Sequence, residues 1–183
     1  MDNATRTKTV IFVCTGNTCR SPMAECLFRR ETEKLGLKKL KTSSAGIKAK
    51  TRDTINEKSA QVLAENGMEM STFTSKKLNK RMLTQAFAIV CMTDAQRDIV
   101  MEMRWKALRE KGEEDIQNNV YSFTGLVGYQ IIDPYGKDID CYRYVYGLLE
   151  GGMPTLIDRL IPNEIRAELK NKPRGRKKKT KDI

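Results

Sequence analysis

The chain has 183 residues, a net charge of +11 and no histidine, with 39% hydrophobic and 31% charged residues. That length suits one domain with a real core, and no apolar run approaches the ~18 residues that a membrane span needs. Without histidine there is no Ser-His or Cys-His dyad, and the five scattered cysteines (Cys14, Cys19, Cys26, Cys91, Cys141) form neither a Cys-x2-Cys metal pattern nor a disulfide framework. No metal and no cofactor is expected.

The N-terminus is short and polar, and the apolar run at residues 10–13 is too short for a signal-peptide core, so the expected location is the cytoplasm. Residues 9–14 are β-branched and aromatic and read as a buried strand. A loop follows at 15–20. Ser21-Pro22 then predicts an N-cap with proline at the first helical position, and Met23, Leu27 and Leu35 carry a helix that Gly36 ends. The pattern continues with a strand at 40–45, a helix at 54–66 closed by Gly67, a helix at 75–85 and a strand at 86–92. Asp94 is the expected cap of a charged helix running to about residue 111. Residues 120–124 read as a fourth strand, and 125–137 as a loop holding Asp133-Pro134-Tyr135-Gly136. A helix at 138–149 should break at Gly151-Gly152, before a last helix at 153–169. Strands alternating with helices point to a parallel α/β sheet. Residues 1–171 are expected to form one domain. The segment 172–183 reads as a solvated basic tail that carries +6 of the +11, leaving a modestly basic body suited to an anionic substrate.

The chemistry concentrates in Cys14-Thr15-Gly16-Asn17-Thr18-Cys19-Arg20-Ser21. The segment joins the carboxyl end of a strand, where α/β sheets bind ligands, to a helix start whose free N–H groups and dipole favour anions. The intervening loop is long enough to curl its backbone N–H groups around one tetrahedral anion. Gly16 is expected to supply a backbone conformation other residues resist. Arg20 offers a planar fork for two phosphate oxygens. The same donors favour a thiolate at Cys14, and a hydrogen bond from Ser21 would support it, so activation needs no histidine. A thiolate attacking phosphorus needs a proton donor for the departing atom. Asp133 is the best candidate, on a loop stiffened by Pro134 at the same end of the sheet. Asp138 and Asp140 fall near the next helix start and read as dipole partners.

Residues 13–25, from Val13 through the Cys14–Arg20 loop to Ser21-Pro22-Met23-Ala24-Glu25, resemble the signature of the low-molecular-weight protein-tyrosine phosphatase family. Ser44-Ala45-Gly46 and Asp133-Pro134-Tyr135-Gly136 resemble its other landmarks, in order. The resemblance spans roughly residues 8–168. It implies a three-layer fold, a four-stranded parallel sheet with helices on both faces, and often a monomer. It implies Cys14 as nucleophile, Arg20 as phosphate clamp and Asp133 as acid and then base. Asn17 would brace the loop, Ser21 would support the thiolate, and Thr15, Gly16, Thr18, Cys19 and Tyr135 would complete the substrate site.

Thr18 stands where tyrosine-directed members of the family usually carry an aliphatic β-branched residue and phosphoarginine-directed, mostly bacterial members carry threonine. A hydroxyl tolerates a polar guanidinium better than a methyl wall does, and Asp133 would attract it. No aromatic residue occurs between Phe28 and Phe73, so Ile47-Lys48-Ala49-Lys50 lacks the aromatic wall common in tyrosine-specific relatives, and ring stacking would rest on Tyr135. The expected substrates are therefore phosphorylated proteins, phosphoarginine first and phosphotyrosine as the alternative. Cys19, five residues after Cys14, is a candidate redox partner for it. Two further readings compete: an arsenate reductase, which needs two more shuttling cysteines in the later half, where Cys91 could be one but no cysteine follows it within ten residues and Cys141 is far away, and a polyanion binder using the tail. Aromatic residues for base stacking are absent from that tail, which argues against nucleic acid.

Overall fold

The computed structural model describes residues 8–114 and 118–170, and the basic tail expected at 172–183 lies outside them. In chain order the elements are β1 (Lys8–Cys14), α1 (Arg20–Lys34), β2 (Leu40–Gly46), α2 (Glu57–Glu65), α3 (Lys80–Gln85), β3 (Ala88–Cys91), α4 (Asp94–Arg109), β4 (Val120–Ser122), α5 (Phe123–Val127), α6 (Ile139–Leu160) and α7 (Asn163–Lys170). The strands form one parallel sheet in the order β2-β1-β3-β4. Parallel sheets bury both faces, and the strands show why these residues suit one. In β1, Val10, Phe12 and Cys14 face one cluster with α1 and α6, while Ile11 and Val13 face the other, with Leu83 of α3 and Val100 of α4. β3 splits the same way, Ala88 and Val90 against Ile89 and Cys91. Helices therefore cover both faces of a four-stranded sheet, as expected. No helix among the described residues is long and apolar enough to cross a membrane.

The chain leaves β1 toward β2 on one side, while β3 lies on the other. The carboxyl end of β1 is thus a topological switch point, where the outgoing connections diverge and open a crevice. The Cys14 loop sits there.

Several boundaries differ from expectation, each for a local reason. Cys19, not Ser21, is the N-cap of α1; it makes no side-chain capping bond, and Pro22 falls at the third helical position. Ser21 is inside the first turn, with its hydroxyl engaged by Cys14 and Asn17. The helix expected at 75–85 begins only at Lys80, because Asn79 caps it through Met82 N–H. Residues 75–78 instead run beside the end of β2, with Lys77 paired to Gly46. Thr93 rather than Asp94 caps α4. β4 ends at Ser122, which caps the short α5 where strand was expected to continue.

The largest correction is at Gly151-Gly152. The chain does not break there: α6 runs unbroken from Ile139 to Leu160, through both glycines and Pro154, and the helix stops at Ile161. Gly152 serves packing instead, since a Cβ there would stand 2.7 Å from Phe123 Cε1 and 2.8 Å from the Tyr129 hydroxyl. Tyr129 in turn donates to the Leu148 carbonyl at 2.7 Å. Gly152→Val should therefore cost about 1–3 kcal/mol through overpacking. A fall in the urea midpoint at unchanged m-value checks it; an unchanged midpoint would mean that Phe123 and Tyr129 yield freely.

Candidate active site

Asn17 organises the loop after β1. It is fully buried, at φ 57°, in the left-handed region that asparagine tolerates better than most residues. Its backbone N–H donates to Cys14 Sγ at 3.2 Å. Its Nδ2 donates to Ser21 Oγ at 3.0 Å and Ser44 Oγ at 2.9 Å, and its Oδ1 accepts from Lys76 N–H at 2.8 Å. The expectation for Gly16 is thereby corrected. Gly16 has no positive φ, and a Cβ on it would make only an ordinary contact with Thr18 Oγ1, 3.6 Å away. The left-handed residue is the one whose side chain ties the loop to three other segments.

These bonds have a direction. Ser21 Oγ accepts from Asn17, which leaves its own hydrogen for Cys14 Sγ at 3.0 Å. Ser44 Oγ likewise accepts from Asn17 and donates to Glu25 Oε2 at 2.6 Å. Two hydrogen bonds therefore converge on the Cys14 sulfur, one from backbone and one from Ser21, an arrangement that suits an anionic sulfur.

Gly46 closes the loop from the β2 side. Ile47 N–H donates to Cys14 O at 3.0 Å and Lys48 N–H to Thr15 O at 2.9 Å. A Cβ on Gly46 would lie 2.7 Å from Thr15 O and 2.9 Å from Asn17 N, so only glycine allows this approach. Asn56 N–H holds Thr18 O at 2.9 Å. From β3's side, Gln96 of α4 donates to Thr15 Oγ1 at 3.0 Å, while its buried Oε1 has no partner.

Arg20 is buried in the first turn of α1, 5% exposed. Its Nη2 donates to Asp133 Oδ2 at 2.5 Å and its Nη1 lies 3.5 Å from Ile131 O. The 129–138 segment therefore delivers Asp133 to the mouth of the loop, with its side chain 53% exposed. Asp133 Oδ1 also accepts from Tyr135 N–H at 3.2 Å, and Lys137 N–H closes a turn on Pro134 O at 2.9 Å. Gly136 takes φ 76° in that turn, a conformation that residues with a Cβ resist. Tyr135 stands 72% exposed beside it. Asp138 caps α6 through Cys141 N–H at 2.9 Å, and Asp140 lies in its first turn, so both serve the helix as expected.

Cys19 Sγ lies 3.6 Å from both Thr18 Oγ1 and the Tyr142 hydroxyl. Burial pushes its thiol up, partly offset by those hydrogen bonds. Cys91 is fully buried in β3, and burial pushes its thiol well up, which disfavours it as a shuttling thiolate. All five cysteines are free. No metal-binding cluster of acidic, cysteine or histidine side chains occurs among the described residues.

Sequence reasoning assigned no role to Glu25, Ser44, Gly46 or Gln96. Glu25, Ser44 and Gly46 were visible within the quoted landmarks, but nothing in the pattern linked them to Asn17. Gln96 carried no signal.

The chain matches the family model for low molecular weight phosphotyrosine protein phosphatase over residues 9–172. A protein-arginine-phosphatase of Geobacillus stearothermophilus is 34% identical over 151 residues, 82% of this chain and 92% of that protein. A probable low molecular weight protein-tyrosine-phosphatase of Ralstonia nicotianae, EpsP, is 26% identical across 84% of this chain and 96% of its own length. The solved structure of the YwlE arginine phosphatase from Geobacillus stearothermophilus superposes with a TM-score of 0.70 at 29% identity, covering 84% of this chain and 92% of that one.

Burial raises the carboxyl of Glu25, outweighing the Ser44 hydrogen bond and the charges of Lys76 and Arg29. A raised folded-state value stabilises the fold below the ordinary value of 4.5 and is lost as pH rises through the folded value. The stability of wild type relative to Glu25→Gln should therefore fall as pH rises from about 4 toward neutrality. Urea titrations of both proteins across that range test it; the opposite slope would mean that Glu25 is held ionised.

Proposed function

The chain belongs to the low molecular weight phosphotyrosine protein phosphatase family and is a protein phosphatase, and from that premise we propose that it hydrolyses phosphoarginine in proteins through a thiophosphate on Cys14. The observation that carries the substrate reading is Thr18. Its half-buried side chain stands in the loop between Asn17 and Cys19, and a hydroxyl there is a compatible wall for a guanidinium. Asp133 supports it, since its carboxylate already holds one guanidinium, that of Arg20, in the structure. The segment after Gly46 supports it too. It offers no aromatic ring, and Ala49 is its buried residue. The relative from Geobacillus stearothermophilus, named for phosphoarginine, adds weight.

In the proposed reaction Cys14 Sγ attacks phosphorus and the P–N bond breaks. The loop N–H groups and Arg20 hold the phosphoryl oxygens, which carry the transferred charge. Asp133 gives its proton to the departing guanidino nitrogen. It then takes a proton from water, whose oxygen attacks phosphorus. The S–P bond breaks, releasing phosphate and the thiolate. Ser21 and Asn17 support the sulfur at the start and end of this cycle, and Tyr135 lines the entrance. The alternative, phosphotyrosine, draws on the exposed Tyr135 ring as a stacking surface.

Cys14→Ser should abolish turnover while phosphate binding survives, because the hydroxyl stays protonated but the donors remain. Asp133→Asn should lower kcat by about 10²–10⁴-fold on substrates with poor leaving groups, and much less on an activated aryl phosphate. Turnover by purified Cys14→Ser, or a uniform effect of Asp133→Asn across leaving groups, would reassign those roles.

Specificity is tested by Thr18→Ile, which removes a hydroxyl and adds an apolar branch. The ratio of kcat/KM for phosphoarginine over phosphotyrosine peptides should fall about tenfold, equivalent to ~1.4 kcal/mol of transition-state discrimination. A wild type that prefers phosphotyrosine, or a ratio that does not move, returns the protein to tyrosine phosphatase activity.

A further inference from the structure

Resting on the phosphatase reading, we propose that the segment after β2 is a cationic rim that selects protein substrates with acidic residues beside the phosphorylated side chain. Residues 47–56 are fastened to the Cys14 loop at both ends. Ile47 and Lys48 donate to Cys14 O and Thr15 O at 3.0 and 2.9 Å, and Asn56 donates to Thr18 O at 2.9 Å. The middle is fastened to residue 75: Arg52 N–H donates to Ser75 O at 3.1 Å, Ser75 N–H to Asp53 O at 2.8 Å, and the Ser75 hydroxyl to Lys50 O. The segment is therefore held to the loop at its ends and to Ser75 between them.

Its side chains are mostly exposed. Ala49 is buried, while Lys48, Lys50 and Arg52 are exposed. Lys77, exposed on the strand-like segment bridged to Gly46, lies alongside. None of these four cations forms an ion pair within the described residues, in contrast to Arg30, Arg97 and Arg143. Asp53 is the only acid in the 47–56 segment before Asn56. Arg52 takes φ 75°, a left-handed conformation costly for a long side chain and kept only where its surroundings impose it.

The partner's chemistry follows from three constraints. It must be anionic, because unpaired cations held beside the Cys14 loop attract and orient negative charge. It must be adjacent to the phosphate in the same molecule, because the rim is bonded to the loop that would hold the phosphate. It is a polypeptide rather than a nucleic acid, because residues 47–56 contain no aromatic side chain on which bases could stack. Acidic residues flanking the phosphorylated position meet all three.

The experiment compares two phosphoarginine peptides, one flanked by glutamates and one by glutamines, with wild type and with the Lys48→Gln/Lys50→Gln/Arg52→Gln triple variant. Wild type should favour the acidic peptide in kcat/KM by about tenfold at low salt, with the preference fading toward 0.5 M salt (~4 Å screening length). The triple variant should lose that preference while its rates on the neutral peptide and on a small aryl phosphate stay unchanged. Equal wild-type rates on the two peptides, or a variant slowed equally on all substrates, would overturn the rim. Two controls separate this proposal from the catalytic one. Turnover of the aryl phosphate reports on the phosphatase reading alone, and binding of the acidic peptide without its phosphate reports on the rim alone. An oligonucleotide that outcompetes the acidic peptide would also overturn it.

Discussion

The structure of the site depends on one buried side chain amide. Asn17 sits at the centre of the loop with its side-chain amide and backbone N–H engaged, binding Cys14, Ser21, Ser44 and the backbone of Lys76. A buried amide with an unmet partner costs ~1–3 kcal/mol per group, so a fully satisfied one holds its surroundings in a single arrangement. The left-handed backbone that this requires is sustained by the same bonds. β1, α1, β2 and the 75–78 segment all meet at this residue. The sulfur of Cys14 receives its two hydrogen bonds as a consequence of where Asn17 places its own N–H and the Ser21 hydroxyl.

Sheet topology supplies the rest. Strand order places β2 on one side of β1 and β3 on the other, so the loop after Cys14 is approached by three carboxyl-terminal connections. Each contributes one element. The turn after β2 brings Gly46 and the cations of residues 48–52. The turn after β3 brings Gln96 onto Thr15. The segment after α5 brings Asp133 onto Arg20, across more than a hundred residues of chain. The Arg20–Asp133 contact couples the group proposed to hold phosphate with the group proposed to transfer the proton; in the proposed reaction a substrate oxygen entering the fork competes with a carboxylate already there. The guanidinium is buried, whereas the carboxylate is half-exposed.

Local chemistry was legible in the amino-acid sequence wherever a side chain acts on its immediate neighbours. The strand ending at Cys14, the five-residue loop, the arginine at the start of a helix, the Asp138 cap and the α/β alternation all follow from periodicity and turn residues, and the resemblance to a phosphatase family rested on three short landmarks. Gly151-Gly152 misled because glycine signals both a break and a close contact, and only the ring of Phe123, brought there by α5, decides between them. Ser21 misled for the same reason: an N-cap and a partner for Cys14 both want a hydroxyl at a helix start.

By itself the sequence pointed to a candidate set, a cysteine, an arginine and a carboxylate without histidine, and it determined the kind of sheet that carries them. Tertiary structure alone decided which residue takes the left-handed position, why Gly46 must be glycine, and that Glu25 lies beneath the loop as a buried carboxyl. It also decided that the backbone of residues 47–56 is bonded at both ends to the Cys14 loop. The physical reason is separation along the chain. Helix and strand signals are carried by residues three or four apart or alternating, whereas Asn17 to Ser44, Asn17 to Lys76 and Arg20 to Asp133 are joined only once the sheet has closed.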